Sequence, residues 1–217
     1  MKKLLNRVIP VILFMIVIFL LQSCGEKLSS NEYLGELPGI AKKYTQKIAE
    51  TKKELKESRD MNDAFGLQKD LKNLKDEAEN AIKEYIANTE LKPLPFEKKG
   101  DYPFTIKEIK VDPKNSSISS LKLAAQIKFN KNFTAEEVRD MFGGFGSIIN
   151  AYVNVMDSKG QKIHNTVFNL RIPYSNDEFR IKEGVEYTMN GLIYPLSNMD
   201  QFGKLIFISR DEFNKKT

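Results

Sequence analysis

The sequence predicts an α+β fold in which an N-terminal helical hairpin precedes an antiparallel β-sandwich. Two observations lead to this prediction. Apolar residues recur at three- and four-residue steps over residues 37–90, which is typical of amphipathic helices, whereas they alternate with polar residues over residues 102–217, which is typical of strands. Between the two regions lie Pro93 and Pro95, and proline ends a helix because it removes a backbone donor.

The helical region contains two apolar series in different registers. The first comprises Leu37, Tyr44, Ile48, Thr51, Leu55 and Ser58, and the second Ala64, Leu67, Leu71, Leu74, Ala78, Ala81 and Tyr85, widened by Phe65, Ile82 and Ile86. Asp60, Asn62 and Asp63 lie where the registers slip, so we expect a turn there and an antiparallel, coiled-coil-like hairpin. One helix of about fifty residues with a stutter is the alternative.

After the prolines, alternating segments predict about seven strands, which is the number in an immunoglobulin-like sandwich. The inward-facing residues include Phe104, Ile106, Ile109 and Val111; Leu121 to Phe129 in steps of two; Ala151, Val153 and Val155; Thr166 to Ile172 in steps of two; and Val185, Tyr187, Met189 and Ile193. A change of parity predicts that this strand either carries a bulge near Lys107–Glu108 or splits in two, and Gly160 predicts a hairpin turn with a left-handed residue. The apolar run 205–208 is expected to close the sheet.

One short crossover helix is predicted between the strands. Thr134 and Glu137 have the spacing of a capping box, in which each side chain bonds the other residue's amide. The glycines that follow the helix, in 143–146, indicate a turn. Met141, Phe142 and Phe145 would then form an apolar tip, which we interpret as a contact point for a partner.

The first 23 residues are typical of a secretory signal peptide. Lys2, Lys3 and Arg7 form a positive start, and the fourteen residues of 8–21 that follow are apolar apart from Pro10. Such a run spans about 21 Å as a helix, which is short of the roughly 30 Å hydrocarbon core of a bilayer. We therefore expect residues 1–23 to be removed.

The signal peptide ends at Leu21-Gln22-Ser23-Cys24, which resembles the lipobox of bacterial lipoprotein precursors. The resemblance implies cleavage between Ser23 and Cys24, a diacylglyceryl group on the Cys24 thiol, and in many bacteria an acyl chain on the new amino group. Gln22 departs from the pattern, because a smaller residue is commoner there. An uncleaved signal anchor with an incidental cysteine is the alternative interpretation.

The anchor also implies a location and a segment order. Gly25 follows the cysteine, whereas Asp at that position is linked with inner-membrane retention, so we expect the outer membrane of a Gram-negative cell, on its periplasmic face. Residues 24–36 are rich in small polar side chains and are predicted to be a flexible lipidated tether. Residues 91–101 are predicted to link the hairpin to the sandwich.

Several kinds of chemistry are not supported by the residues available. His164 is the single histidine and Cys24 the single cysteine, so neither a histidine-rich metal site nor a Cys–His nucleophile pair is expected. We expect His164 to be structural or at the surface, and no cofactor beyond the lipid. Between Pro38 and Glu90 eleven basic and eleven acidic residues interleave, which argues against a nucleic-acid partner.

The leading hypothesis is a lipid-anchored envelope protein that is not an enzyme and binds a protein or glycan partner. One alternative is an enzyme, or its accessory subunit, with a cleft between hairpin and sandwich. A second is an oligomeric structural lipoprotein joined through its helices.

Overall fold

The computed structural model describes residues 30–142, 148–172 and 177–215, apart from the side chains of Arg139, Met141 and Phe142. The described helices are α1 (Leu37–Glu57), α2 (Met61–Asn88), α3 (Ala135–Phe142) and α4 (Arg210–Asn214), with short 3₁₀ helices at Pro113–Asn115 and Leu196–Gln201. The described strands are β1 (Phe96–Lys98), β2 (Phe104–Asp112), β3 (Leu121–Phe129), β4 (Phe133–Thr134), β5 (Ile148–Asp157), β6 (Lys162–Arg171), β7 (Phe179–Ile181), β8 (Glu186–Ile193) and β9 (Phe202–Ile208).

The helical region consists of two helices, so the alternative of one long helix is wrong. The Asp60 carboxylate caps α2 by accepting hydrogen bonds from the amides of Asn62, at 2.7 Å, and Asp63, at 3.1 Å. At the other end, the Tyr85 hydroxyl accepts a hydrogen bond from the Glu36 amide at 2.9 Å, so the end of α2 lies beside the start of α1. Coiled-coil-like packing between the helices stays a prediction.

The predicted helical registers agree with the burial of the side chains, with one exception. Every member of the two apolar series is buried or half-buried, and Ile82 is fully buried. Phe65, which was expected to widen the second series, is instead 73% exposed, and Met61 one turn before it is 87% exposed. The start of α2, next to the turn between the helices, therefore presents an apolar surface to solvent.

The strands form one large sheet in the order β1-β9-β5-β6-β8-β3-β2, and only the β1–β9 pair is parallel. The two edge strands of the sheet, β1 and β2, approach each other. The Lys98 ammonium on β1 donates hydrogen bonds to the carbonyls of Tyr102 and Phe104 at the start of β2, both at 3.0 Å. The α+β class and the antiparallel character are confirmed, but the expected two facing sheets are replaced by one sheet that curls nearly closed. Strands β4 and β7 form a separate ribbon.

The sheet is continuous because β6 meets β8, and this junction has few backbone bonds. Asn169 and Asn190 are the paired residues along the junction. Further along, the Thr166 hydroxyl donates to the Leu192 carbonyl, and the Tyr194 amide donates to His164 Nε2 at 3.5 Å. Side chains thus take the place of ladder bonds, and we call this junction the β6–β8 seam.

The base of the two helices and the sheet share one hydrophobic core. Leu37 and Ile82 belong to the same buried cluster as Phe168 and Phe207 of the sheet. α1 packs on the 3₁₀ helix Leu196–Gln201, and α2 approaches the one at Pro113–Asn115. The loops 113–120, 158–161 and 194–201 lie at this end of the sheet, whereas α3 and the β4–β7 ribbon lie at the opposite end.

Part of the predicted tether is packed against the sheet. The side-chain amide of Asn31 (Nδ2) donates to the backbone carbonyls of Asp200, at 3.2 Å, and Phe202, at 2.8 Å. Leu34 is fully buried. From Asn31 onward the chain is thus held by the fold, which differs from the expected flexibility up to residue 36. The predicted linker 91–101 likewise contains β1.

Three local sequence predictions are confirmed. Glu137 and Thr134 form the reciprocal capping bonds, with the Glu137 amide at 3.2 Å from the Thr134 hydroxyl and the Thr134 amide at 2.9 Å from the Glu137 carboxylate. The β2–β3 register shifts between Ile106 and Glu108, where the bulge was expected. Gly160 has φ of +80°, which is the left-handed conformation of the hairpin turn.

Tight packing at the seam predicts that Gly191→Ala lowers the free energy of unfolding by about 1–3 kcal/mol, which is typical of overpacking a core. The added methyl carbon would lie 2.5 Å from ring carbons of Phe168. Chemical denaturation followed by circular dichroism measures this effect.

Gly66→Ala is the matched control, because nothing lies within 4 Å of a methyl group added at this position in α2. That control should gain roughly 0.5–1 kcal/mol, since alanine suits a helix better than glycine. Equal effects of the two substitutions would contradict the packing argument.

Candidate functional site

A cleft of about 690 Å³ opens on the outer face of the sheet along the β6–β8 seam. Its floor contains three asparagines, Asn165, Asn169 and Asn190, and we call it the asparagine cleft. The residues Leu192, Tyr194 and Phe213 form an apolar rim. The cleft exists because the strands here are joined mainly through the Thr166 and His164 side chains rather than through a backbone ladder.

The asparagines lie on the outer face because of the alternation along each strand. In β6 the side chains of Thr166, Phe168 and Leu170 are buried, so Asn165 and Asn169 face outward. The neighbouring strands continue the pattern, since Asn150 of β5 pairs with Asn169, Asn154 of β5 with Asn165, and Asn169 with Asn190 of β8. Asparagine is depleted in strands, so five on one face contradict local propensity.

One acceptor in the cleft has no protein partner. Among the described residues, the Asn165 Oδ1 atom is buried and accepts no hydrogen bond. Buried polar atoms in proteins are nearly always satisfied, so an exception of this kind indicates a strained or functional position. Since this oxygen is closed to solvent, a ligand donor could satisfy it only after the Asn165 side chain turns it toward the cleft.

The rim supplies exposed apolar surface beside the amides. Tyr194 is 56% exposed and Leu192 is 45% exposed, although both belong to or adjoin a central strand. Phe213 of α4 completes the rim and packs on Tyr152 with ring centroids 4.8 Å apart. The cleft therefore combines hydrogen-bonding amides with an aromatic and aliphatic wall.

The cleft has little net charge. Lys122 is the charged residue among its described lining residues, and its ammonium lies 3.1 Å from the Asp112 carboxylate. Burial tends to raise the pKa of Asp112, but the Lys114 amide and the Lys122 ammonium outweigh it and hold that pKa below its usual range. The carboxylate stays ionised at neutral pH and balances the lysine.

His164 lies beneath the rim rather than in the cleft. Its ring contacts the Tyr194 ring, with centroids 5.1 Å apart, and its Nε2 accepts the Tyr194 amide. Burial lowers the pKa of His164, so the neutral form predominates at pH 7. The structural role expected from the sequence agrees with this position, since His164 supports Tyr194.

The site residues predicted from the sequence do not line this cleft in the described structure. Leu21, Gln22, Ser23 and Cys24 lie outside the described residues, and so does Phe145.

Met141 and Phe142 end α3, at the end of the sheet opposite the helices, and their side chains are among those not described. The asparagines were missed, although two of them carried a signal. Asn169 and Asn190 each occupy an outward position within a predicted strand, between inward-facing neighbours.

Within the described ranges, no three His, Cys, Asp or Glu side chains gather closely enough to hold a metal ion. None of the described helices is both long enough and apolar enough to cross a membrane.

The fold and cleft define an α+β protein with an open, amide-lined surface groove. Comparisons of the chain with family models, curated proteins and solved structures found no match.

The burial of His164 predicts an NMR titration midpoint below the ordinary value of 6.5 for the single histidine. The folded-state pKa is depressed, so its contribution to stability is complete above the unfolded value and is lost as pH falls through the folded value. The Tyr194 amide resonance should shift over the same pH range, because protonation removes its acceptor. A midpoint at or above the value measured for the same chain in denaturant would contradict this assignment.

Proposed function

We propose that this protein is a lipid-anchored protein of the bacterial cell envelope that acts as a non-enzymatic binding module. The asparagine cleft is the observation that carries the binding role, because it combines unsatisfied hydrogen-bonding capacity with exposed apolar surface. The lipobox-like segment that ends at Cys24 supports the anchoring. The proposed location is the outer membrane, on its periplasmic face.

The start of the described fold suits such an anchor. Asn31 is bound to the sheet, and seven residue steps separate it from Cys24. An extended chain covers about 3.5 Å per residue, so a lipid on Cys24 would hold the fold within about 25 Å of the membrane. The helical end would then face the lipid, and the end that carries α3 would face away from it.

The chemistry of the cleft favours binding over catalysis. The polar side chains among its described lining residues, besides that of Tyr194, are four asparagine amides, two hydroxyls and one ammonium, from Asn115, Asn165, Asn169, Asn190, Ser120, Thr166 and Lys122. The Thr166 hydroxyl already donates to Leu192, the Ser120 hydroxyl lies 3.2 Å from the Ser117 hydroxyl, and Lys122 is paired with Asp112. No carboxylate or histidine stands among these described lining residues to serve as a base. A nucleophile needs an adjacent base, and the neutral His164 ring is turned to the Tyr194 amide instead.

The enzyme alternative has weaker support. A pocket of about 350 Å³ lies between α1 and the 3₁₀ helix Leu196–Gln201. This is the position that the enzyme alternative requires for a cleft between the helices and the sheet. Among its described lining residues Asp200 is the one carboxylate, whereas acid–base catalysis of glycoside cleavage uses two.

The anchor predicts that Cys24→Ser abolishes incorporation of radiolabelled fatty acid, because the thiol that carries the acyl chains is lost. The lipobox is also the cleavage signal, so this variant keeps residues 1–23 and their apolar run, and labelling rather than detergent partitioning is the measurement. A chain with both Cys24→Ser and Ser29→Cys is the control, and it should stay unlabelled because its thiol is not at the cleavage site. Labelling of Cys24→Ser would disprove the anchor.

The exposed apolar start of α2 favours a second candidate function, an oligomeric structural lipoprotein joined through its helices. Met61 and Phe65 lie one helical turn apart and are 87% and 73% exposed. If this surface joins copies, analytical ultracentrifugation should show concentration-dependent association of residues 25–217. Phe65→Glu should reduce that association, and Asp70→Lys, on the opposite face of α2, should leave it unchanged. A monomer at all concentrations would exclude this candidate.

A further inference from the structure

The asparagine cleft offers hydrogen-bonding groups of both kinds within a short distance. Each carboxamide carries two donor hydrogens and one acceptor oxygen, and Asn169 and Asn190 face each other across the seam. A sugar ring presents adjacent hydroxyls that both donate and accept. Facing amides therefore match neighbouring hydroxyls better than they match a ligand with a single kind of polar group.

The buried Asn165 oxygen points to a ligand that donates. This acceptor finds no donor among the described residues, although it lies in a residue that lines the cleft. A buried acceptor without a partner is costly, so a ligand hydroxyl that reaches it gains more than one that meets solvated groups. The ligand should therefore place a hydroxyl at Asn165, whose side chain must turn its oxygen toward the cleft to accept it.

The rim provides the apolar contact that sugars require. One face of a sugar ring consists of C–H groups, and these pack against aromatic and aliphatic side chains. Tyr194 and Leu192 are about half exposed beside the amides, and Phe213 lies at the same rim. The cleft thus has a polar floor and an apolar wall, in the arrangement that a ring with two chemically different surfaces needs.

The balance of charge restricts the class of glycan. An acidic glycan calls for unpaired cations, and Lys122, the charged side chain among the described lining residues, is paired with Asp112 at 3.1 Å. An uncharged glycan needs no unpaired cation, so the paired Lys122 does not disfavour it.

An extended peptide is a poorer fit, because it would need free backbone groups on a strand. Two backbone groups on the β8 side of the seam are already bonded, since the Leu192 carbonyl accepts the Thr166 hydroxyl and the Tyr194 amide donates to His164. Both strands of the seam also lie inside the sheet, with β5 and β3 on their other sides. Addition of a peptide strand is therefore blocked here.

We propose that the asparagine cleft binds an uncharged, hydroxyl-rich glycan, with Asn165, Asn169 and Asn190 bonding its hydroxyls and Tyr194 packing on its ring. This inference rests on the proposed role as a binding module and names the class of its ligand.

The test uses the mature lipidated protein in a detergent without a sugar headgroup, which avoids competition for the cleft. The probes are neutral hexasaccharides of glucose, mannose and N-acetylglucosamine, the neutral glycan fraction of the producing cell's envelope, and an oligogalacturonate as the acidic comparison. Titration calorimetry should detect binding of at least one neutral probe and none of the acidic one. Asn165→Ala and Tyr194→Ala should each weaken that binding about tenfold, the scale expected for losing a key contact.

Asn154→Ala is the matched control, because Asn154 lies opposite Asn165 on the same face but does not line the cleft. It should leave the affinity unchanged, and the thermal unfolding of all three variants should stay close to that of the parent protein. If Asn165→Ala unfolds, Asn165→Leu replaces it: this variant keeps nearly the same volume but has no polar group, and it should also bind neutral glycan more weakly.

Three results would overturn the inference: no binding by any neutral probe, a preference for the acidic probe, or affinity that Asn165→Ala and Tyr194→Ala leave unchanged. Capture from solubilised envelope separates this failure from that of the proposed function. A protein retained in a Tyr194-dependent manner, with no glycan bound, would reject the glycan and keep the binding module. Failure to retain any envelope component or glycan would reject both.

Discussion

The β6–β8 seam is the constraint on which the sheet and its surface both depend. Its strands pair through Asn169 and Asn190, and the Thr166 and His164 side chains satisfy backbone groups further along. On the inner face Phe168 packs directly over Gly191, where a larger residue would not fit. This junction completes the single sheet around the core, and the asparagine cleft lies along it on the outer face.

The helices close one end of that sheet and do not form a core of their own. Their exposed length from Tyr44 to Leu74 buries only a narrow stripe, whereas Leu37, Ala41 and Ile82 at the base enter the common core. Asn31 ties the incoming chain to the same end. The fold is thus polarised, with the chain entering beside the helices and α3 at the far end.

The outer-face asparagines mark where local preference and the overall fold disagree. Strands favour branched and aromatic residues, and a solvated sheet face usually carries threonine or charged side chains. Asn165, Asn169 and Asn190 instead lie in central strands, and one of them leaves a buried oxygen without a protein partner. Such disagreements are expected at functional sites, because a binding surface is shaped by its ligand as well as by stability.

The sequence by itself determined the features that depend on residues a few positions apart: the two helical registers, the Thr134–Glu137 capping box, the bulge after Ile106 and the turn at Gly160. It did not reveal the asparagine cleft or the single sheet, although the outward parity of Asn165 and Asn169 could be read from their neighbours. Only the tertiary structure decided that β6 lies beside β8. Pairing between strands about 20 residues apart depends on packing across the whole core, such as that of Phe168 on Gly191, and no local pattern encodes it.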